Sequence, residues 1–163
     1  MQHRVKIAII ISFFFILGCK KNDPEPVAPI ITFLDATLAA DKTYINVNFE
    51  FFDGDGDLGL KQNENQGAQE FNLFVEYYEK ENGIWVKKSP IITFNVGENK
   101  FDTTELHLRM PFLENETNGE LKGETSVNLF YDYTADTLKY ELLLKDRALH
   151  SSNLIETAEL IVN

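Results

Sequence analysis

The stretch that decides the fold is Tyr44-Ile-Asn-Val-Asn-Phe-Glu-Phe51, in which polar and apolar residues alternate one by one. A period of two places the apolar side chains on one face of a β-strand and the polar ones on the other. The same alternation runs through residues 71–80, 104–110, 125–134 and 137–145. Because no long window has the period of an amphipathic helix, the sequence predicts an all-β protein with half-buried antiparallel sheets.

Further strands are predicted outward from this core at residues 30–38, 84–88, 91–96 and 154–162. Turn-forming residues such as Asn82-Gly83 separate them. Seven to nine short strands divided in this way are typical of an antiparallel immunoglobulin-like β-sandwich. The 13 Phe and six Tyr residues supply the large apolar area that such a core requires.

The composition limits both the size and the partners of the protein. A chain of 163 residues fits one domain of ordinary size. The net charge of −11 argues against nucleic acid as a partner, because nucleic acid requires a basic patch. The sequence has no Gly-x-Ser-x-Gly, P-loop or His-Glu-x-x-His motif, and we predict that the protein is not an enzyme.

The N-terminal residues indicate a targeting signal rather than a part of the fold. A basic start is followed by an apolar run from Ile7 to Gly18, which rises only about 18 Å as a helix and is too short to span a bilayer. This pattern is typical of a cleaved signal peptide. The run ends in Ile16-Leu17-Gly18-Cys19, which resembles a bacterial lipobox. That resemblance implies cleavage after residue 18 and lipidation of Cys19, the one cysteine of the chain.

Three segments follow from this interpretation: a signal peptide at 1–18, a lipidated cysteine with a proline-rich tether at 19–29, and the sandwich at 30–163. Proline favours extended structure, so the tether is expected to be semi-rigid. By similarity with bacterial lipoproteins, Lys20 after the cysteine implies a lipid anchor in the outer membrane. The periplasmic face and the cell surface both remain open.

A second resemblance concerns the body of the chain. Asp53-Gly-Asp-Gly-Asp-Leu-Gly59 before a tyrosine-rich strand, and the loop Leu144–Asn153 before the last strand, are similar to Bacteroidota lipoproteins with an immunoglobulin-like or fibronectin type III-like domain. The resemblance implies the fold and leaves the activity open. We therefore expect a non-catalytic binding or accessory module of the cell envelope, whose partner is an unknown envelope protein or a glycan.

The acidic loop is the main candidate site. Asp53, Asp55 and Asp57 offer three carboxylates on a glycine-rich backbone, and Ca²⁺ requires six to eight oxygens. Glu64 falls at position 12 counted from Asp53, but Leu58 stands where an EF-hand requires Gly, so no EF-hand is predicted. Asp146 is expected to join the site from the loop between the last two strands, which emerges at the same end of such a sandwich. The alternative is an ordinary solvated turn without metal.

A second candidate site consists of aromatic residues. Tyr78 and Trp85 lie on neighbouring predicted strands, where exposed rings stack on sugars in a carbohydrate-binding accessory protein for glycan uptake. The alternative is an ordinary aromatic core. Thr103 and Thr137 follow aspartates in short sequences similar to O-glycosylation sites of exported Bacteroidota proteins. A hydrolase is the third possibility.

Overall fold

The computed structural model describes residues 27–114, 119–132 and 134–163. The predicted signal peptide, Cys19 and most of the tether lie outside the described residues. The strands are β1 (Ile30–Leu38), β2 (Ile45–Asp53), β3 (Leu73–Glu81), β4 (Ile84–Lys87), β5 (Ile91–Asn95), β6 (Lys100–Thr104), β7 (Leu121–Leu129), β8 (Thr137–Leu144), β9 (Ile155–Glu156) and β10 (Leu160–Ile161). A short 3-10 turn at Gly67–Gln69 precedes β3.

The strands form two main sheets, in which all neighbouring strands are antiparallel. One sheet has the order β1-β2-β7, and the other has the order β10-β8-β3-β4, with β9 also paired to β8. β5 and β6 form a separate hairpin. The all-β, immunoglobulin-like sandwich predicted from the alternating pattern is confirmed.

The core lies between the two main sheets and is built from the apolar half of each alternating strand. Ile45, Val47 and Phe49 of β2 are completely buried. From the opposite sheet, Tyr77 and Tyr140 pack with their ring centroids 5.4 Å apart. Truncating a buried phenylalanine such as Phe49 to alanine costs about 3–5 kcal/mol, so this layer sustains the scaffold on which the loops rest.

Tyr140 also ties β8 to the end of β7. Its hydroxyl donates a hydrogen bond to the carbonyl oxygen of Phe130 at 2.8 Å, although its ring is fully buried. A tyrosine bound back to the backbone a few residues upstream marks the corner between the corresponding strands of immunoglobulin-like domains. The alternating pattern predicted the burial of Tyr140, but the corner depends on the turn that follows β7.

The strand predicted at 104–110 is wrong, because β6 ends at Thr104 and only isolated pairings follow. Leu106 and Met110 are buried as their alternation predicts. The backbone pairing with β3 is limited to Leu108, whose amide donates to the Leu73 carbonyl oxygen at 2.8 Å and whose carbonyl oxygen accepts from the Leu73 amide at 3.0 Å. Side chains add further hydrogen bonds on either side of this pair. His107 Nδ1 accepts the hydrogen bond of the Val75 amide at 3.2 Å, and Asn72 Oδ1 accepts that of the Met110 amide at 2.7 Å.

Other strand boundaries also differ from the sequence prediction, and β6 at Lys100–Thr104 was not predicted. The final strand, predicted at 154–162, is divided into β9 and β10. Thr157 lies at the break, where its hydroxyl accepts a hydrogen bond from the Tyr140 amide at 3.0 Å in place of a ladder bond. β7 spans Leu121–Leu129, so it begins and ends earlier than the strand predicted at 125–134. The described residues contain no helix with the length and apolar character needed to cross a bilayer.

Candidate metal centre

The candidate metal centre begins at the last residue of β2. Asp53 continues the inward-facing series of that strand and has no solvent exposure. Its Oδ2 atom accepts a hydrogen bond from the Leu58 amide at 2.8 Å. Because the Leu58 side chain is itself buried in the core, this bond closes the acidic loop against the sandwich.

Glycine residues allow the loop to turn tightly around the hydrogen bond between Asp53 and Leu58. Gly56 has a φ of +69° and Gly59 a φ of +85°, in the left-handed region where other residues are strained. At Gly59 the space is also filled, since a Cβ atom there would come within 2.2 Å of the Pro111 carbonyl oxygen. The loop conformation therefore depends on glycine at both positions.

Three carboxylates converge inside this loop. Asp53, Asp55 and Asp57 each present an oxygen, and these oxygens all lie within 4.8 Å of one another. The Oδ1 atoms of all three residues are buried, and none has a hydrogen-bond partner among the described residues. Buried polar atoms are normally paired, so three unpaired acceptors in one place need a physical explanation.

The electrostatics of the loop disfavour three free negative charges. Burial raises the pKa of Asp53 to about 7, and the hydrogen bond from the Leu58 amide opposes this effect. The charge of Asp55, a hydrogen bond with the Asp55 carboxyl group and the charge of Asp57 raise the pKa further. The pKa of Asp57 is also raised, first by burial and then by the charges of Asp146 and Asp55. In the absence of a bound cation, Asp53 and Asp57 thus retain protons above the usual pKa range of a carboxyl group.

The loop between β8 and β9 packs against the acidic loop, as the predicted topology requires. The Ala148 amide donates a hydrogen bond to Oδ2 of Asp57 at 3.1 Å. The Arg147 amide donates to the carbonyl oxygen of Asp57 at 3.3 Å, and its guanidinium donates to the carbonyl oxygen of Gly59 at 3.4 Å. Two loops distant in sequence therefore form one structural unit at this end of the sandwich.

Asp146 was expected as a ligand, but its carboxylate group binds other partners. It is buried, and its two carboxylate oxygens accept hydrogen bonds from the backbone amide and the Nδ1 atom of His150, each at 2.8 Å. Asp146 thereby shapes the turn that presents Arg147 and Ala148 to Asp57. It is not in the group of converging carboxylates, although its charge acts on Asp57.

Glu64 also lies outside the group of three. Its carboxylate accepts a hydrogen bond from the Lys61 amide at 2.7 Å within a local turn. For Glu64 to act as a ligand at position 12, the loop that begins at Asp53 would have to continue curling for twelve residues. Instead, Leu60 leaves the loop at once and pairs with Pro111, its amide donating to the Met110 carbonyl oxygen at 3.0 Å.

The three converging oxygens match the chemistry of a hard divalent cation. Two oxygens that bind one Ca²⁺ at 2.3–2.6 Å are separated by at most about 5 Å, and the limit of 4.8 Å observed here satisfies this condition. Asp53, Asp55 and Asp57 would hold such an ion. Mg²⁺ also binds carboxylate oxygens, so this arrangement defines a cation site without selecting the metal.

The aromatic candidates, Tyr78 on β3 and Trp85 on β4, lie on the outer face of the sheet formed by β10, β8, β3 and β4. Tyr78 and Trp85 are both partly buried, and the Lys139 ammonium lies 5.4 Å and 5.1 Å from their respective ring centroids. The Lys80 ammonium lies 5.3 Å from the Trp85 centroid. The Tyr78 hydroxyl donates to Glu141 at 2.9 Å, and burial with this bond raises its pKa to about 12. The two rings are thus neighbours, and charged side chains surround them.

The structure also has open grooves on the three-stranded sheet. The larger, of about 500 Å³, is lined on β1, β2 and β7 by residues that include Ile30, Phe52 and Lys122. The other, of about 450 Å³, lies near Asp35 and Asn48, whose side chains bind each other at 2.7 Å. Neither groove includes the three converging aspartates, so these surfaces are separate from the candidate metal centre.

Comparisons with known proteins gave no significant match. No protein-family model matches the chain, and neither the curated proteins nor the solved structures contain a similar protein at the significance required.

Proposed function

We propose that this protein is a non-catalytic module of the bacterial cell envelope, anchored by lipid and stabilised by calcium bound to its acidic loop. The proposal is carried by the acidic cluster: Asp53, Asp55 and Asp57 each present a carboxylate oxygen within 4.8 Å of the other two, and each has a buried Oδ1 atom without a hydrogen-bond partner among the described residues. The calcium and the anchor are supported by separate observations and are tested separately.

The loop geometry favours a cation site over an ordinary turn. A buried acceptor without a partner costs roughly 1–3 kcal/mol, and this cost is higher for a charged group. A turn alone would relieve it by aiming the oxygens at backbone amides or at water. A divalent cation relieves it by neutralising the charge and accepting all three oxygens as ligands. The all-oxygen donor set is the one that Ca²⁺ prefers.

The test of the cation site is a thermal melt of the full-length chain in detergent, first with EDTA and then with millimolar Ca²⁺ or Mg²⁺. We expect Ca²⁺ to raise the midpoint, since a ligand at 100 times its Kd adds about 2.7 kcal/mol to the free energy of unfolding. The double variant Asp55→Ala, Asp57→Ala should lose this shift. An unchanged midpoint in the wild-type chain would exclude a cation site of useful affinity.

The anchor is supported by the lipobox-like sequence that ends in Cys19. Stable anchoring requires more than one acyl chain, as lipidated N-terminal cysteines provide. We expect the chain to incorporate an alkyne-labelled fatty acid in a bacterial host and to fractionate with the outer membrane. Cys19→Ala should lose both properties. Labelling of Cys19→Ala at the wild-type level would contradict the proposal.

Glycan binding is the second candidate function, and the proximity of Tyr78 and Trp85 on one sheet face is the observation that favours it. Both rings lie beside the Lys139 ammonium. A sugar would have to displace this cation to stack on the rings. Quenching of Trp85 fluorescence by a panel of glycans, lost in Tyr78→Ala, would support this function. A flat response across the panel would leave the calcium-stabilised module as the function.

A further inference from the structure

We infer that cation binding in the acidic loop is coupled to docking of the N-terminal tether through Val27, so that the cation controls how firmly the tether is held against the domain. This inference rests on the proposed cation site. It adds a consequence for the anchor, because residues that precede Val27 lead to the proposed lipidated cysteine.

The inference starts from a direct contact between tether and loop. Gly54 lies between two of the converging aspartates, Asp53 and Asp55. A Cβ atom placed on Gly54 would lie 3.1–3.3 Å from the Cβ and both Cγ atoms of Val27. The Val27 side chain therefore packs over the backbone of the loop at its most acidic point. Gly54 does not have a positive φ, so a side chain there would meet the Val27 side chain rather than a strained backbone, and Val27 would have to shift by a few tenths of an ångström.

The chain that follows Val27 is fixed to the same end of the domain. Ile30 pairs with Phe52, one residue before Asp53. The Ile31 amide donates to Oδ1 of Asn153 at 2.9 Å, and the Asn153 amide group returns a bond to the Ile31 carbonyl oxygen at 2.8 Å. Asn153 belongs to the segment between β8 and β9 that also binds Asp57. The start of β1, the acidic loop and this segment thus meet at the candidate metal centre.

Coupling follows from this arrangement. Without a cation, repulsion among three closely spaced carboxylates, of which Asp53 is fully buried, favours loop conformations in which they separate. Such a movement displaces Gly54 and removes the surface on which Val27 lies. A cation that holds the carboxylates together preserves that surface. Because linkage is reciprocal, docking of Val27 must strengthen cation binding by the same factor as the cation strengthens docking.

The test is calorimetric titration of Ca²⁺ into the full-length chain in detergent, with Val27→Ala and Gly54→Ala as variants. We expect each to weaken Ca²⁺ binding about fivefold or more, the lower limit of typical coupling. Val96→Ala and Gly97→Ala are matched controls in the β5–β6 turn. Val96 is 82% exposed, and a Cβ on Gly97 would make only an ordinary contact at 3.5 Å, so both should bind like the wild type.

A double variant distinguishes coupling from direct damage to the loop. If Gly54→Ala acts by displacing Val27, it should have little further effect in the Val27→Ala background, as a double-mutant cycle would reveal. Hydrogen exchange provides the reciprocal measurement. Ca²⁺ should slow exchange of the Ala28 and Ile30 amides in the wild type, and less so in Val27→Ala.

Failure of the inference and failure of the proposed site give different results. Equal Ca²⁺ affinity in the wild type and Val27→Ala, with unchanged exchange at residues 28–31, would overturn the coupling and leave the cation site intact. Absence of Ca²⁺ binding in the wild type would overturn both. Near-ultraviolet circular dichroism of each variant establishes that the sandwich is folded before either comparison is made.

Discussion

Two kinds of aspartate turn can be compared among the described residues. Asp132 uses a single oxygen, Oδ1, to accept hydrogen bonds from the amide and the hydroxyl of Thr134, both at 2.8 Å. Asp41 binds Thr43 in the same way, at 3.1 and 2.7 Å. These bonds lower the pKa of both aspartates. The loop from Asp53 to Asp57 has the opposite property, because the pKa values of Asp53 and Asp57 are raised.

The difference shows that a carboxylate in a turn takes its role from the direction of its oxygens. In the first kind of turn, the acid accepts hydrogen bonds from its own loop and the turn is complete. In the second, the Leu58 amide satisfies one oxygen of Asp53 and the Ala148 amide one oxygen of Asp57, and the buried Oδ1 atom of each has no hydrogen-bond partner among the described residues. A turn residue of this second kind stabilises the fold fully only when a cation or a proton is present.

The largest expected effect is the pH dependence of stability in EDTA. The folded pKa of Asp53 is raised from 3.8 to about 7, so its stabilising contribution is complete below pH 4 and is lost as the pH rises through 7. We expect the free energy of unfolding to fall by roughly 4 kcal/mol from this residue between pH 4 and pH 8. Urea denaturation across this range measures the change, and Asp53→Asn should flatten it. A wild-type profile that rises over the same range would contradict the prediction.

The second effect is the response of each kind of turn to Ca²⁺. Asp53→Asn keeps an oxygen for the Leu58 amide but loses a charged ligand, so the stabilisation of about 2.7 kcal/mol at 100 times Kd should disappear. Asp132→Asn is the matched control and should respond to Ca²⁺ like the wild type. The measurement is denaturation with and without millimolar Ca²⁺. If both variants lost the response equally, the distinction between the two kinds of turn would fail.

The third expected effect is a loss of stability when the aspartate in a turn of the first kind is truncated. Asp132→Ala removes two hydrogen bonds to Thr134 and should lower the free energy of unfolding by about 1 kcal/mol. The loss should be the same in EDTA and in Ca²⁺, because this carboxylate is not part of the cluster. Chemical denaturation under both conditions provides the measurement. A loss of stability seen only in Ca²⁺ would show that Asp132 contributes to the stabilisation by the cation and would contradict the prediction.

The smallest expected effect concerns Glu64. Glu64→Gln retains a carbonyl oxygen for the Lys61 amide, and the structure places this side chain outside the three converging carboxylates. Calorimetry should therefore show less than a twofold change in Ca²⁺ affinity. A tenfold loss would identify Glu64 as a ligand and would require the loop to close differently when the cation binds.

Prediction from sequence succeeded where a local pattern carries the information. The alternation from Ile45 to Phe51 predicted both the strand and its buried face, since each residue is oriented by its neighbours. The same reasoning failed at residues 104–110, where the buried face is correct but no strand forms. There, Leu108 alone pairs with the backbone of Leu73, and the side chains of His107 and Asn72 supply neighbouring hydrogen bonds. A period of two cannot reveal which groups satisfy a sheet edge.

The candidate site was predictable in part for the same reason. Asp53, Asp55 and Asp57 are adjacent in sequence, so their convergence required only a loop that glycine allows. Asp146 and Glu64 were expected as ligands from topology and from counting, and the structure gives each a different partner. The backbone amides of Arg147 and Ala148 were not predicted, because a backbone donor leaves no trace in residue identity.

The sequence by itself determined the all-β class, the buried face of the main strands and the identity of the acidic cluster, because these depend on residues that are near one another in the chain. The tertiary structure alone decided which carboxylate oxygens are paired, that the loop between β8 and β9 binds Asp57, and that Val27 lies on Gly54. The last two features join residues more than twenty positions apart in the chain. Their geometry is set by the packing of the two sheets rather than by any local pattern.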